Sequence, residues 1–593
     1  MCGVLAVIGK RGPLDLHHCS GALEGLRLRG PDFSFEELVL DGRLYLGQTV
    51  LSIVGESAPV VDTYHRSRNG QYNIVYNGEI YNYRKLQREI LDAKGYHCPS
   101  DTDTEMLVNL HEIAGPAAAY DQLEGMFAYI THDAPRNKLY VGRDLVGEKV
   151  LYRYEDEQYV IISSEIGPIL KIAPYIRINR SVLKEYFFTR HLLTPDVSVF
   201  EGIEAVPPGT LYEYDLTDFS SRNIRSSDLG GFVDPDVLEF NRRRDIEDLF
   251  DELESVMTTA AEKIAPSGVD FCAVFSGGVD SSLGSRFVSE VRQPKELISL
   301  VFPGKDNISS QLAPFEAVMG RDILTVDVSV DSFHKTLDSV YKSVCAPLPT
   351  HSFVSQAILS QVVRETGAKV VIGGDGGDEL FGGYEFYKRL LSRSYPSTNP
   401  SIYSGYVDLG FEFEGWEPVS LISQIKQRWL KHSEVYEFEP NERDRIIQTV
   451  LYSDTVIQLE STGIRAGDTM SMLHSIEPRS LFLMWDVMRF ALNLPAKLKV
   501  DSHGVDELMT TRPALKHLFV RKFGRELLFP KQGFSGFPNE AGRIEVNDGR
   551  YPLVMEVLGL QRVPEYSSDE SARAAEWKLL NTEIFLRKFR DHA

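Results

Sequence analysis

Between residues 246 and 385 short apolar runs alternate with stretches of helical period, and this alternation limits the fold of the chain more than any other feature. Ile246, Leu249, Phe250, Leu253, Val256, Met257, Ala260, Ala261 and Ile264 share one face at about 3.6 residues per turn, and Pro266-Ser267-Gly268 ends the run. Apolar runs at 269–275, 297–302, 323–328 and 369–372 follow, with helices predicted from Ser281 and near 355–365. Strands separated by helices predict a parallel sheet of the α/β class, whose ligands gather beyond the carboxyl ends of the strands.

The first 215 residues read differently. Apolar runs at 4–8, 44–46, 74–76, 139–141 and 159–162 are separated by Gly, Asn and Asp, which predicts antiparallel strands. Helices at 83–91 and 104–114 make this half α+β. Residues 216–244 are polar and turn-rich with no sustained apolar period, and read as a surface connection. Two folded units are therefore expected, at 2–215 and 240–593, the second mostly helical beyond about residue 385.

Charge and cysteine usage exclude several function classes. Sixty-three Lys and Arg against 85 Asp and Glu leave a net charge of −22 with no basic cluster, which disfavours nucleic acid and anionic lipid as partners. The longest apolar runs, such as Val370-Val371-Ile372, fall far short of the roughly 20 residues of a membrane span. No charged segment precedes the first apolar stretch, so a soluble cytoplasmic protein is expected. Cys2, Cys19, Cys98, Cys272 and Cys345 form no CxxC pair and are odd in number, so no disulfide framework or cysteine-rich zinc site is expected. His17-His18-Cys19 lacks a second spaced ligand pair and reads as ordinary surface and core residues.

Two loops carry polyanion chemistry. AVFSGGVDSSL places Ser276, Gly277, Gly278, Asp280, Ser281 and Ser282 after an apolar strand and at a helix opening. There, backbone N–H groups and hydroxyls can cradle phosphate at the positive helix end. Asp280 would repel phosphate without a divalent cation between them, which points to magnesium. No GKS or GKT follows, so this is not a Walker loop. GGDGGDELFGGY, at 373–384, also follows an apolar strand and could bring Asp378 to the same cation as Asp280; a glycine-rich turn with surface acids is the plainer alternative.

Met1-Cys2-Gly3 leads straight into an apolar strand. With Met1 removed, Cys2 would carry a thiol and an α-amine whose ordinary pKa, about 7.7–8.0, lets it take the thiol proton. By itself a cysteine there is more commonly inert. Asn77 and Gly78, in YNGEIYN, can offer an amide side chain and a backbone N–H to a developing oxyanion, or can form a plain hairpin turn. Carboxylates in the 100–105 segment could cap a helix or hold a substrate ammonium.

On these residues the chain resembles the glutamine-hydrolysing asparagine synthetase family over nearly its whole length. The amino-terminal half is similar to a class II glutamine amidotransferase domain in MCG, RGPD (29–32), LSIV (51–54), YNGEIYN, TDTE (102–105), GMFA (125–128) and GRD (142–144). The second half is similar to an ATP pyrophosphatase synthetase domain in SGGVDSS, GDGGDELFGGY, MSMLHSIEPR (470–479) and PKQGF (530–534). The resemblance implies an αββα amino-terminal-nucleophile fold followed by a parallel-sheet domain with a helical carboxyl-terminal part. It implies that Cys2 attacks glutamine, that Asn77 and Gly78 form the oxyanion hole, and that Leu51, Glu79 and Asp103 help to hold the amino acid. It implies ATP at Phe275, Ser276, Gly277, Gly278, Asp280, Ser281, Ser282, Val301, Gly374 and Asp375, with Mg2+ on Asp280 and Asp378. Asp375 would lie by the reacting carbonyl and Lys531 would stabilise charge during adenylation. Ammonia would pass internally to an acyl-adenylate, with aspartate as the default acceptor and asparagine as the product. A homodimer is a candidate assembly.

Two departures stand out. The family usually has Arg just before LSI, pairing with the glutamine carboxylate; here Gly47-Gln48-Thr49-Val50 precede Leu51, and Val50 cannot make that pair. Either Arg43, Arg66 or Arg68 reaches the site, or glutamine binds weakly and free ammonia becomes relevant. Relatives more often read RVPFLD where this chain has Arg479-Ser480-Leu481-Phe482-Leu483-Met484, which points to a different carboxylate as the alternative acceptor. A non-catalytic scaffold is the reading from another class.

Overall fold

The computed structural model describes residues 2–54, 65–98, 100–189, 197–302, 308–391, 411–501, 504, 506–530, 551–562 and 569–592. In the first half, strands β1 (Cys2–Gly9), β2 (Phe33–Val39), β3 (Leu44–Val50), β4 (Tyr72–Ile80), β5 (Gly125–Asp133), β6 (Lys138–Arg143), β7 (Tyr152–Glu155), β8 (Tyr159–Ser163), β9 (Ile203–Ala205), β10 (Thr210–Asp215) and β11 (Ser221–Ser226) form two antiparallel sheets. Their orders are β2-β3-β1-β8-β7-β9 and β11-β10-β6-β5-β4.

Alternation along β1 shows why the sheets stack. Val4, Ala6 and Ile8 point into an apolar layer shared with Val75, Ala128 and Ile130 of the other sheet. Leu5 and Val7 point the other way, onto Ala22 and Leu23 of helix α1 (Leu16–Glu24). Helix α2 (Asp103–Ala114) covers the second sheet with Met106, Leu107 and Leu110 against Ile74, Tyr76 and Tyr129. The result is a four-layered α/β/β/α half in which β1 is buried on both faces, which accounts for its unbroken apolar sequence.

Helix α3 (Ile246–Ile264) follows, with the apolar stripe read from its sequence buried apart from Ile246 and Val256. Strands β12 (Phe271–Val274), β13 (Leu297–Val301), β14 (Ile323–Asp327), β15 (Val370–Gly373) and β16 (Glu477–Ser480) form a parallel sheet in the order β14-β13-β12-β15-β16. Helices α4 (Val279–Val291) and α5 (Ser352–Glu365) lie between its strands in sequence. The chain runs outward from β12 on one side and resumes at β15 on the other, so the topological switch point lies between the carboxyl ends of β12 and β15.

The structure corrects one expectation and decides two details that the sequence left open. The 216–244 segment is not only connection: β11 pairs with β10, and a helix at Pro235–Arg243 is capped by the Asp234 side chain. Neither shows an apolar period because β11 is an edge strand with its side chains largely in solvent, and the helix buries only Leu238 and Asn241. Within the mainly helical tail, Glu477–Ser480 is a strand of the parallel sheet, and its Glu and Arg hide it from an apolar search. Asn77 and Gly78 form no hairpin turn; they lie inside β4, paired with Ala128 and Phe127. Among the described residues no helix is long and apolar enough to cross a membrane.

Candidate active sites

Cys2 opens β1 opposite Val50 of β3 and is buried. Its backbone N donates to Asn77 Oδ1 at 2.8 Å, and its carbonyl accepts from Arg29 Nε at 3.2 Å. Burial pushes the thiol up from its ordinary range, against the pull of bonds from the Gln48 side chain and the Leu51 backbone. Asn77 is fully buried, and its Nδ2 has no hydrogen-bond partner in the structure. Leaving such a donor unpaired costs about 1–3 kcal/mol, which a transient acceptor close to Cys2 would recover. Gly78 has φ +151°, and a Cβ there would lie 2.1 Å from the Met126 carbonyl oxygen, so only glycine fits against β5.

Asp103, at the start of α2, accepts from the Tyr76 hydroxyl at 2.6 Å and from Ile80 N at 3.1 Å. Burial raises its pKa, an effect these bonds oppose. Glu79 is buried and accepts from Arg479 Nη2 at 2.9 Å; burial pushes its carboxyl up to about 7 in spite of that arginine. Leu51 packs in the core of the second half with Leu253 and Met257. Val50 is buried and non-polar, as the sequence requires. Of the arginines considered as its substitute, Arg43 donates to Gly9 O at the far end of β1, Arg66 pairs with Glu37, and Arg68 donates to Gly95 O and lies over Tyr96. The pairing of β1 with β3 sets Arg43 beside Gly9 and Cys2 beside Val50, a whole strand length apart.

The second constellation lies at the switch point. Phe275 ends the β12 run, with its N donating to Ile298 O at 2.8 Å. Gly277 takes φ +74°, and Gly278 caps α4. The Ser276 and Ser281 hydroxyls are 2.8 Å apart, and Ser282 is buried in the first turn. Val301 closes β13, its carbonyl accepting from Val328 N. The 373–378 loop is laid directly on this turn: a Cβ on Gly374 would come within 2.9 Å of Ser281 N, and one on Gly377 within 2.7 Å of Asp280 Cγ. Glycine is needed for the two backbones to meet. Asp375 projects from the same loop, and its carbonyl accepts from Ser480 Oγ at 2.6 Å.

Asp280 and Asp378, expected as magnesium ligands, do converge: Arg512 Nη1 donates to Asp280 Oδ2 and, at 2.8 Å, to Asp378 Oδ1. Two carboxylate oxygens meeting at one point form a hard-oxygen pair of the kind Mg2+ takes together with phosphate oxygens, so these side chains fit that ion. Among the described residues no cluster of three or more His, Cys, Asp or Glu is arranged to hold a metal, His17-His18-Cys19 included. Lys531 lies outside the described residues.

Three groups that motif reading left without a role join the two halves. Arg29 is buried between Cys2 O, Glu165 at 2.7 Å and Asp468 at 2.8 Å, the last from helix Arg465–Met472. Arg143 meets Glu460 at 3.1 Å. Arg479 of β16 binds Glu477 through Nε at 2.6 Å, Ile264 O through Nη1 and Glu79 through Nη2. No local sequence signal marks these contacts, since Glu460, Asp468, Glu477 and Arg479 stand among polar or small neighbours or beside one another.

Residues 1–224 match the family description "Glutamine amidotransferase domain", and residues 252–593 match "Asparagine synthase". "Asparagine synthetase [glutamine-hydrolyzing] 3" of Bacillus subtilis is 25% identical over 547 residues, covering 85% of this chain and 82% of that protein. A "Putative asparagine synthetase [glutamine-hydrolyzing]" of Mycobacterium bovis is 26% identical over 416 residues, 66% of this chain and 62% of that protein. "Amidase chry2" of Gibberella zeae is 23% identical over 598 residues, 86% of this chain and 84% of that protein.

Proposed function

This chain belongs to the asparagine synthase family, with a glutamine amidotransferase domain ahead of the synthase part, and from that premise we propose that it is an ATP-dependent amidotransferase that moves glutamine nitrogen onto an activated carboxylate. The observation that carries the reading is the unpaired Nδ2 of Asn77 beside Cys2, a buried donor with nothing to bind until an oxyanion forms.

In this reading Cys2 Sγ adds to the glutamine side-chain amide carbon. Its proton passes to the α-amine, which is held by Asn77 Oδ1 once Met1 is removed. Asn77 Nδ2 and the Gly78 backbone receive the oxyanion; the α-ammonium then returns its proton to the amide nitrogen, and collapse of the adduct expels ammonia and leaves the thioester. Water then releases glutamate from the thioester. Glu79 and Asp103 hold the substrate ammonium, and Leu51 lines the amino-acid site through its backbone, which bonds the Cys2 thiol, while its side chain stays in the core.

At the second site the 275–282 turn, with Val301 and Gly374, binds the triphosphate. An acceptor carboxylate oxygen attacks the α-phosphorus, pyrophosphate leaves, and ammonia displaces AMP from the acyl carbon. Asp280 and Asp378 would hold Mg2+, which when bound neutralises phosphate charge. Asp375 lies by the reacting carbonyl, and Lys531 supplies charge to the adenylation step.

Aspartate is the default acceptor. A different acid is favoured by one observation: Met484, where relatives more often have Asp, is buried in an apolar cluster with Leu483 and Phe482, so no carboxylate is offered there to a polar acceptor. Relatives of this chain also include a protein described as an amidase.

The test is pyrophosphate release with ATP and Mg2+ across aspartate and a panel of carboxylic acids, with glutamine or ammonium as nitrogen donor. Failure of every acid to elicit cleavage between the α and β phosphates would overturn the reading. Absence of response to aspartate alone would move the acceptor. Labelling of Cys2 by a glutamine-like electrophile separates an enzyme from a scaffold.

A further inference from the structure

Arg512 immediately precedes Pro513, at the start of helix Pro513–Phe523, and takes a left-handed backbone with φ 51° and ψ 44°. Few non-glycine residues adopt that conformation, and a following proline restricts the residue before it further. Two contacts keep it there. Its N donates to Lys499 O at 2.8 Å, and Val500 bridges to Thr511 alongside. The other is the side chain, which reaches between the two nucleotide loops to bind Asp280 and Asp378 through one nitrogen.

The Arg512 side chain is 3% exposed. An arginine guanidinium stays ionised at every working pH. A permanent positive charge therefore stands where the two carboxylates converge. A divalent cation on the oxygens that now take the guanidinium would have to replace it, and one on the other oxygens of these carboxylates would still stand beside a like charge, so the arginine opposes it either way.

We propose that Arg512 is a built-in counter-ion of the nucleotide site: it holds Asp280 and Asp378 together in the absence of metal and must withdraw before Mg2+ binds them. This rests on reading those two aspartates as magnesium ligands. Metal alone offers the displaced guanidinium no new partner. Metal arriving with a triphosphate does, since phosphate oxygens match the planar fork of arginine. The site thus discriminates against free divalent cation and admits it together with ATP.

The test uses the full chain without nucleotide or acceptor. Mn2+ is titrated in and the free ion is followed by electron paramagnetic resonance, with Mg2+ competition to identify the site. R512Q is expected to bind Mn2+ at least tenfold more tightly than wild type. R512K, which keeps the charge but loses the fork, should fall between them and carries the contrast if R512Q does not fold. Arg521 on the same helix pairs with Glu247 and Asp251, so R521Q should match wild type. Adding ATP should narrow the gap between wild type and R512Q to within threefold. Affinities of wild type, R512Q and R512K within threefold of one another without nucleotide, undetectable binding to all three included, overturn the proposal, as does an equal gain in R521Q. If ATP changes nothing in any variant while R512Q still binds Mn2+ more tightly, the counter-ion stands and the nucleotide reading falls.

Discussion

Replacing Asn77 with Asp tests the amidotransferase half at the level of one atom. Asn77 has two jobs in the structure: Oδ1 accepts from Cys2 N at 2.8 Å, and Nδ2 is buried with no partner. Aspartate keeps the acceptor and the side-chain size, but removes the donor and sets a negative charge where an oxyanion would form. Loss of one oxyanion donor typically costs 10²–10³ in kcat, about 2.7–4 kcal/mol. N77D should therefore release glutamate from glutamine at least a hundredfold more slowly. Ammonium-dependent pyrophosphate release should stay within threefold of wild type, because the synthetase loops do not touch Asn77. Burying that charge lowers stability whichever role the amide plays, so the glutamine rate is read on protein whose ammonium-dependent activity shows it folded. If glutamate release by N77D came within threefold of wild type, Asn77 would not serve the oxyanion and the argument from its unpaired nitrogen would fail.

Other outcomes follow from the same geometry. C2S should lose glutamine-dependent product formation and keep the ammonium-dependent reaction, read by product analysis with each donor. G377A would force a Cβ to within 2.7 Å of Asp280 Cγ; prising the loops apart should raise the KM for ATP at least tenfold, about 1.4 kcal/mol, in a pyrophosphate assay. R29M would leave Asp468 and Glu165 without their shared partner and should lower stability by about 3–5 kcal/mol in urea unfolding. Lys499, buried with Nζ donating to Gln448, has its pKa pushed down to about 7 by desolvation. Between pH 7 and 9 the unfolded chain therefore binds more protons at this group than the folded one, so its contribution to stability rises with pH, by up to about 1.4 kcal/mol per unit. K499M should flatten that slope in denaturant titrations across the window.

The parallel sheet was legible because its strands are short unbroken apolar runs spaced by helices. Both glycine-rich loops were legible as turns at strand ends because glycine and aspartate directly after an apolar run break the strand there. Strands β11 and β16 were not, since neither carries an apolar period of its own. Strand β16 is polar because Arg479 and Glu477 on it complete an ion-pair group with Glu79, a demand made by the other half of the chain.

Local order of residues determined where a thiol, an amide and two glycine-rich turns would stand, because hydrogen-bonded turns, caps and strand pleats are settled among near neighbours. Which charges face one another was decided only in three dimensions. Arg512 lies 232 residues from Asp280, and Arg479 lies 400 from Glu79. An arginine surrounded in sequence by ordinary residues reads as solvated surface, since nothing nearby shows that water will be stripped from it. Closure of the fold brings the opposite charges within reach, and burial then makes each pairing obligatory.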